Sequence, residues 1–389
     1  MRIGYYAHHH GSGHCRQIDK LAALLPLEYR QQLTIFTSLT PEAYIFANID
    51  EQQVVRLHAE DERTDDVLKG RAGAHWQPAS LHYSPVGNTD IQKRSHQILD
   101  TIYQRHIDLM IIDVSVEVAM LCRAASVPYL YVRLPGLRDD TPHLEAFAGA
   151  LALLAPYPQV LEAAMTPNWV AQKTLYLDFI NPAKNDTSSH EDFVKMLMTL
   201  TDDDKALAAL STSAQIVTVI KGYGGHEAID AKLPELRRLL PHAFIISLGP
   251  IDDTMHRYVD IATHVNDVTS FIEHSDYLLM ACGLNAVAQV YYYATPLVVL
   301  PDDRPHQEQE MMAQALVAQG RALSWEQFKR SISAEDILAN PDKSLMPQQK
   351  STNDMSAAQA FMDSTTNHST TKSWFNEWLL PKLALKPDV

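Results

Sequence analysis

Residues 276–316 read DYLLMACGLNAVAQVYYYATPLVVLPDDRPHQEQEMMAQAL, and the alternation inside this stretch decides the fold. One apolar run reaches Cys282 and Gly283, and a helical pattern begins near Asn285. A second apolar run ends near Pro301, and another helical pattern follows the polar crest DDRPHQEQ. Short apolar runs bounded by glycine, proline and polar clusters fit strands buried on both faces, and helices between them supply the crossovers that parallel strands need. The stretch therefore predicts part of a parallel α/β layer.

The same alternation extends toward the N-terminus. AQIVTVIKGYGG, PHAFIISLG and YVDIATHV supply further strands of this half. Earlier in the chain, MRIGYYA and the glycine turn HHHGSGH lead into a helix carrying Arg16, Ile18, Leu21, Leu24 and Leu25. LTIFTS is the next strand, and a polar, less regular region runs through HYSPVGN. A helix over 90–106 then precedes DLMIIDVS, a strand ending at Asp113. A helix over 117–125, the strand PYLYVRLPG, and ALALLAPYP as the last strand complete this half. The expected architecture is α/β, with two Rossmann-like domains facing across a cleft. Its expected boundaries are 1–170 for the N-terminal domain, 171–213 for a linker and helix, and 214–345 for the C-terminal domain. The remainder, 346–389, is a polar segment followed by the apolar WFNEWLLPKLAL, which is expected to dock as a helix.

Composition narrows the function classes. The chain has 389 residues, 46% of them hydrophobic, enough for more than one core. With 47 acidic against 32 basic residues its formal net charge is -15, and no basic patch is visible to hold a phosphate backbone, which argues against a nucleic-acid partner. Cys15, Cys122 and Cys282 lie far apart without a CxxC pair, as reduced thiols of a cytoplasmic enzyme would. No signal-peptide pattern and no 20-residue apolar run stands in the sequence, so the expected location is the cytoplasm, with peripheral contact at the inner membrane surface left open.

Several residues could carry chemistry. His8, His9, His10 and His14 invite a metal, but three adjacent histidines cannot all aim inward from one strand, and no ligand spacing supports them; no metal site is expected. Gly11 and Gly13 permit close backbone approach. His14, near the start of the predicted helix, can accept a proton near neutral pH or serve only as a turn histidine. GSGH lacks the lysine and hydroxyl residue of a Walker A loop. Asp113, at the carboxyl end of a buried strand, can orient His14 or cap the next helix. In KGYGG, Gly222, Gly224 and Gly225 can let amides approach a diphosphate, while Lys221 can add a charge or face solvent. Asn285 and Gln289, four apart, share one helix face. Glu308 and Gln309 begin the next helix, where they can read sugar hydroxyls.

This order of motifs resembles the nucleotide-sugar glycosyltransferases of GT-B architecture, the broad group of the cell-wall N-acetylglucosaminyltransferase and the UDP-glucuronosyltransferase-like enzymes. It runs from HGSGH through KGYGG to CGLNAVAQ and RPHQEQ, with the two late motifs the most specific. The resemblance implies that His14 lies next to the acceptor, with His10 as a competitor, and that Asp113 is its acidic partner. It also implies that Gly283 and Asn285 approach the donor diphosphate, and that Glu308 and Gln309 recognise the transferred sugar. Arg304 could reinforce the phosphate field.

Three positions depart from the pattern. Gln289 stands where the group commonly has a ribose-binding glutamate, Ala281 where some members have a phosphate-contacting histidine, and Met312 where many have asparagine. The implied activity is metal-independent, inverting transfer from a nucleotide diphosphate sugar, such as a UDP-sugar, to an acceptor hydroxyl. No cofactor beyond that donor substrate is implied, and no DxD motif is present in a strand-end context. A nucleotide-sugar epimerase and an inactive nucleotide-sugar-binding protein are the alternatives. The acceptor and the oligomeric state are not specified by the sequence.

Overall fold

The computed structural model describes residues 1–8, 12–58, 79–180, 189–201, 210, 215–222, 227–339 and 373–384. The chain divides into two compact units. The first comprises 1–159, 164–180 and 366–389; the second comprises 160–163 and 181–365.

The first unit is built on seven parallel strands in the order β3-β2-β1-β4-β5-β6-β7. These are β1 (Ile3–Tyr6), β2 (Thr34–Thr37), β3 (Val54–Arg56), β4 (Leu109–Asp113), β5 (Tyr129–Val132), β6 (Ala152–Ala155) and β7 (Thr174–Tyr176). Every residue of β1, β2, β4, β5 and β6 is buried, as expected of strands covered on both faces. Helices α1 (Ser12–Ala23), α2 (Thr89–Gln104), α3 (Val116–Ala124) and α4 (Thr141–Gly149) occur in the crossovers. Ile18, Leu21 and Ala22 of α1 pack with Ile3, Tyr5 and Ile111 on one side of the sheet. Ile98 of α2 and Val118 and Cys122 of α3 pack with Tyr6, Met110 and Ile112 on the other. Side chains of successive strand residues point to opposite faces, so β1 and β4 feed both cores.

ALALLAPYP is not the last strand of this sheet, because β7 pairs beyond it through Leu153↔Thr174. The edge strands β3 and β7 have three residues each, all half-buried. They lack the continuous apolar run that marks the central strands. In the terminal helical stretch, Trp374, Phe375 and Leu379 pack in the core formed by α1 and β1.

Six parallel strands make the second unit, in the order β10-β9-β8-β11-β12-β13. They are β8 (Ile216–Ile220), β9 (Phe244–Leu248), β10 (Ile261–Thr263), β11 (Tyr277–Met280), β12 (Leu297–Val299) and β13 (Ala322–Ser324). Helix α5 (Leu284–Val290) joins β11 to β12, and α6 (Glu308–Ala318) joins β12 to β13. The decisive stretch is thus strand, helix, strand, helix, as its pattern predicts. Both sheets have the doubly wound order, in which the winding reverses between two central strands: β1 and β4 in the first, β8 and β11 in the second. Ligands of such sheets bind outside the carboxyl ends of the strands at this reversal. Among the described residues no helix is long and apolar enough to cross a membrane.

Candidate functional site

At the reversal of the first sheet, β1 pairs with β4 through Tyr6↔Ile112, so the carboxyl ends of the two strands emerge side by side. Asp113 is the last residue of β4 and fully buried. His14 stands in the first turn of α1. Its Nδ1 lies 2.7 Å from Asp113 Oδ2. Two alternatives for Asp113 are thereby separated. The cap of α3 is Ser115, whose hydroxyl oxygen accepts the Val118 N–H, while the Asp113 carboxylate is directed to the histidine. With Nδ1–H donated to the carboxylate, the basic lone pair of the imidazole is on Nε2.

The backbone at this point is strained. Val114 has φ 63°, a conformation costly for a β-branched residue and concentrated at functional sites. It is held by the Tyr131 hydroxyl, which donates to the Val114 carbonyl, and by the Val114 N–H donating to Val132 O at 3.3 Å.

His8, one of the histidines named in the sequence, stands beside His14, and two residues that the motifs did not reveal, Glu117 and Asp140, bind the neighbouring segment 82–83. His8, buried, has its ring centroid 5.2 Å from that of His14 and 5.9 Å from that of Tyr83. Glu117 Oε1 accepts the backbone N–H groups of both His82 (2.8 Å) and Tyr83 (2.9 Å), and its Oε2 accepts the Ser115 hydroxyl at 3.0 Å. Asp140 contacts His82 Nε2 at 3.0 Å and His143 Nδ1 at 2.6 Å. Burial opposes ionisation of Asp140, but the bonds and charge of His143, assisted by His82, outweigh it and hold the carboxyl at about 2. Neither Glu117 nor Asp140 belongs to a periodic pattern or a spaced motif. The one available signal was proximity in sequence to a strand crest.

The second sheet carries the other expected residues at its reversal, where β8 pairs with β11 through Ile220↔Met280. Gly222 is exposed directly beyond β8. Lys221 does not face solvent: its Nζ pairs with Asp230 at 2.7 Å, both side chains buried. Desolvation lowers the Lys221 pKa, and Asp230 partly offsets this. Gly11, Gly224 and Gly225, like His9 and His10, lie outside the described residues; Gly13 is exposed in the first turn of α1.

Beyond β11, Gly283 is the N-cap residue of α5 with φ −65°. Any residue adopts that angle, and a Cβ built there meets nothing within 4 Å. The fold itself gives no reason for glycine here. The open space is what a closely approaching ligand needs. Gly249 is the contrast: it has φ 104° and a Cβ would stand 2.5 Å from the Lys221 carbonyl oxygen, so that glycine is structural. Asn285 and Gln289 are half-buried, one helical turn apart on α5, and Ala281 is buried in the core of the second unit.

Glu308 and Gln309 open α6, with Glu308 half-buried and Gln309 buried. The Gln309 amide oxygen accepts two backbone N–H groups, from Cys282 at 3.2 Å and from Asp302 at 2.9 Å. It therefore ties the crest of β11 to the crest of β12, a role the motif did not reveal. His306 (φ 59°) and Gln307 (φ 50°), immediately before it, are both left-handed. Met312 is fully buried in α6, so this position is a packing residue. Arg304 is about one-third exposed, 3.9 Å from Asp302.

No protein-family model matches the chain, and no curated protein matches it by sequence. Solved structures do. The chain is similar to UGT2 of Phytolacca americana complexed with UDP-2fluoro-glucose and pterostilbene, at 14% identity and a TM-score of 0.58 over 99% of each chain. It is similar to the spinosyn rhamnosyltransferase SpnG complexed with thymidine diphosphate, at 15% identity and a TM-score of 0.56 over 97% of this chain and 100% of that one. A putative UDP-N-acetylglucosamine 2-epimerase from Listeria monocytogenes has 13% identity and a TM-score of 0.51 over 97% of each chain. The fold is the two-domain Rossmann-like GT-B architecture.

Proposed function

We propose that the chain is a glycosyltransferase that moves a sugar from a nucleotide diphosphate donor to an acceptor hydroxyl. The observation that carries this reading is the 2.7 Å contact between His14 and a fully buried Asp113 at the reversal of the first sheet. A histidine so oriented is a general base waiting for a proton. In this reading the first unit binds the acceptor, and the glycine crests of the second bind the donor.

His14 Nε2 removes the acceptor O–H proton, and Asp113 stabilises the imidazolium that forms. The acceptor oxygen bonds to the anomeric carbon as the bond from that carbon to the diphosphate oxygen breaks. The nucleoside diphosphate leaves with the electron pair. Attack opposite the leaving group inverts the anomeric centre. Gly222, Gly283, Asn285 and Arg304 are assigned to the donor diphosphate, Gln289 to the ribose and Glu308 to the sugar. The scheme routes the proton through His14 and the developing charge to amides and Arg304, so it asks for no divalent ion. Three buried, unpaired cysteines support a reducing compartment, the cytoplasm.

The test is release of nucleoside diphosphate from UDP- and TDP-sugars with and without mixed cellular acceptors, with products weighed. Acceptor-dependent release and an acceptor heavier by one sugar residue support transfer. A rearranged sugar formed without acceptor supports the epimerase, and donor binding without turnover supports a binding protein.

A further inference from the structure

Arg304 is assigned to the donor diphosphate in the reading above, but its charge neighbour in the second unit, Asp302, has no role there. Asp302 follows the crest of β12, and its Oδ2 is buried with no hydrogen-bond partner. The Asp302 side chain is 8% exposed. Arg304 Nη2, 3.9 Å away, is a charge neighbour too far for a hydrogen bond. Among the described residues the Arg304 guanidinium makes no hydrogen bond, while its side chain remains about one-third exposed. A guanidinium offers five N–H groups in a planar fork suited to two phosphate oxygens at once.

The surroundings fix where the loop that carries this fork stands. Strands β11 and β12 pair through Met280↔Val299, and the Leu300 N–H donates to Met280 O at 2.9 Å, so their crests emerge together. Gln309 Oε1 then binds the amides of Cys282 and Asp302, closing the loop 302–309 beside Gly283. Within that loop the left-handed His306 and Gln307 turn the chain into α6, a strained path maintained by closure at both ends. The loop thus carries an uncommitted cation and is tied through Gln309 to Cys282, the neighbour in sequence of a glycine whose Cβ position is open space.

We propose that Asp302 is a positioning residue for Arg304. Its buried carboxylate draws the guanidinium toward the Gly283 crest by charge alone, leaving the N–H fork to take the terminal phosphate of a nucleoside diphosphate. Gln309 is the strut that keeps the loop in place. This inference rests on the donor-site reading above and adds to it the residue that aims the cation.

Titration calorimetry with UDP, UMP, TDP and TMP tests it on the full chain. Arg304→Ala is expected to weaken the bound diphosphate about tenfold and to narrow the preference for diphosphate over monophosphate, the scale of one charge-assisted contact. Asp302→Asn, which conserves shape and removes the charge, is expected to weaken it about threefold or more. The double variant should bind no more weakly than Arg304→Ala, because Asp302 acts only through Arg304. Arg304→Lys should recover part of the loss, which also shows that the loop is folded. Additive losses, equal losses for monophosphate, tighter binding by Asp302→Asn, or unchanged binding by Asp302→Asn would each overturn the positioning role while leaving the donor reading intact. A wild-type protein that binds none of the four nucleotides overturns both.

Discussion

His14 and Asp113 stand 99 residues apart in sequence and 2.7 Å apart in the structure, because β1 and β4 are neighbours at the reversal of the first sheet. The carboxylate of this pair is wholly buried and the imidazole partly exposed, 0% against 18% for the side chains. This polarity suits a base whose orienting group is shielded from water and whose outer nitrogen meets a substrate.

His14→Ala is expected to lower transfer by about 100-fold to 10,000-fold while leaving nucleoside diphosphate affinity unchanged. Asp113→Asn should lower the plateau rate. It should also move the acidic limb of the pH profile to lower pH, since loss of the carboxylate destabilises the imidazolium and the neutral base persists further down. Initial rates against pH, with binding measured in parallel, check both. A pH limb that stays in place would remove Asp113 from the mechanism.

Gly283→Ala separates function from folding. With φ −65° and no atom within 4 Å of the added Cβ, its melting temperature should match the wild type, whereas diphosphate binding should fall if the crest lies against the ligand. Gly249→Ala should do the reverse, destabilising the second unit by about 1–3 kcal/mol through its φ of 104° and its clash with the Lys221 carbonyl. Thermal melts paired with calorimetry read the two.

How much of this was legible in the sequence depends on the kind of residue. The buried strands were visible because each is a short apolar run, and α5 and α6 because their helical patterns follow a crest. β3, β7 and β13 were missed: three residues at or near a sheet edge carry too little pattern to see. His14 and Asp113 could be named because a strand crest and a glycine turn mark such positions, but the sequence left the aim of Asp113 open. Glu117, Tyr83 and Asp302 were not singled out beyond their nearness to a crest, since their significance arises from backbone amides and charges brought together only by the fold. Lys221 misled for the same reason, its partner Asp230 lying in a separate helical segment.

Gln309→Ala strips the acceptor from two amides, one of them on the buried Cys282, and is expected to cost about 2–6 kcal/mol at roughly 1–3 per unsatisfied group. Gln309→Glu retains an oxygen there and should recover much of that stability. Denaturant melts measure both. If Gln309→Ala is as stable as the wild type, the residue is not the strut of the loop.

The first unit should also respond to acid. Asp140 titrates at about 2 in the folded chain, below its ordinary value of 3.8. Its contribution is present above about pH 4 and is lost as pH falls through the folded value. Asp140→Asn should therefore show a shallower loss of stability than the wild type over that acidic window. Identical slopes in denaturant melts at stepped pH would contradict the His82–Asp140–His143 assignment.

The terminal segment tests the first core. Trp374 is 1% exposed among residues of α1 and β1, so Trp374→Ala is expected to destabilise the first unit by about 3–5 kcal/mol. A melt within 0.5 kcal/mol of the wild type, roughly the effect of a surface change, would mean that the segment does not dock there.

The central claim is sugar transfer with His14 as the base, and mass spectrometry of the acceptor tests it most directly. Wild-type protein, a panel of UDP- and TDP-sugars and mixed cellular acceptors should yield an acceptor heavier by one sugar residue, with nucleoside diphosphate released in step, and His14→Ala should lower both by about 100-fold or more. An unmodified acceptor with a rearranged donor sugar, or a His14→Ala variant as active as the wild type, would contradict the account.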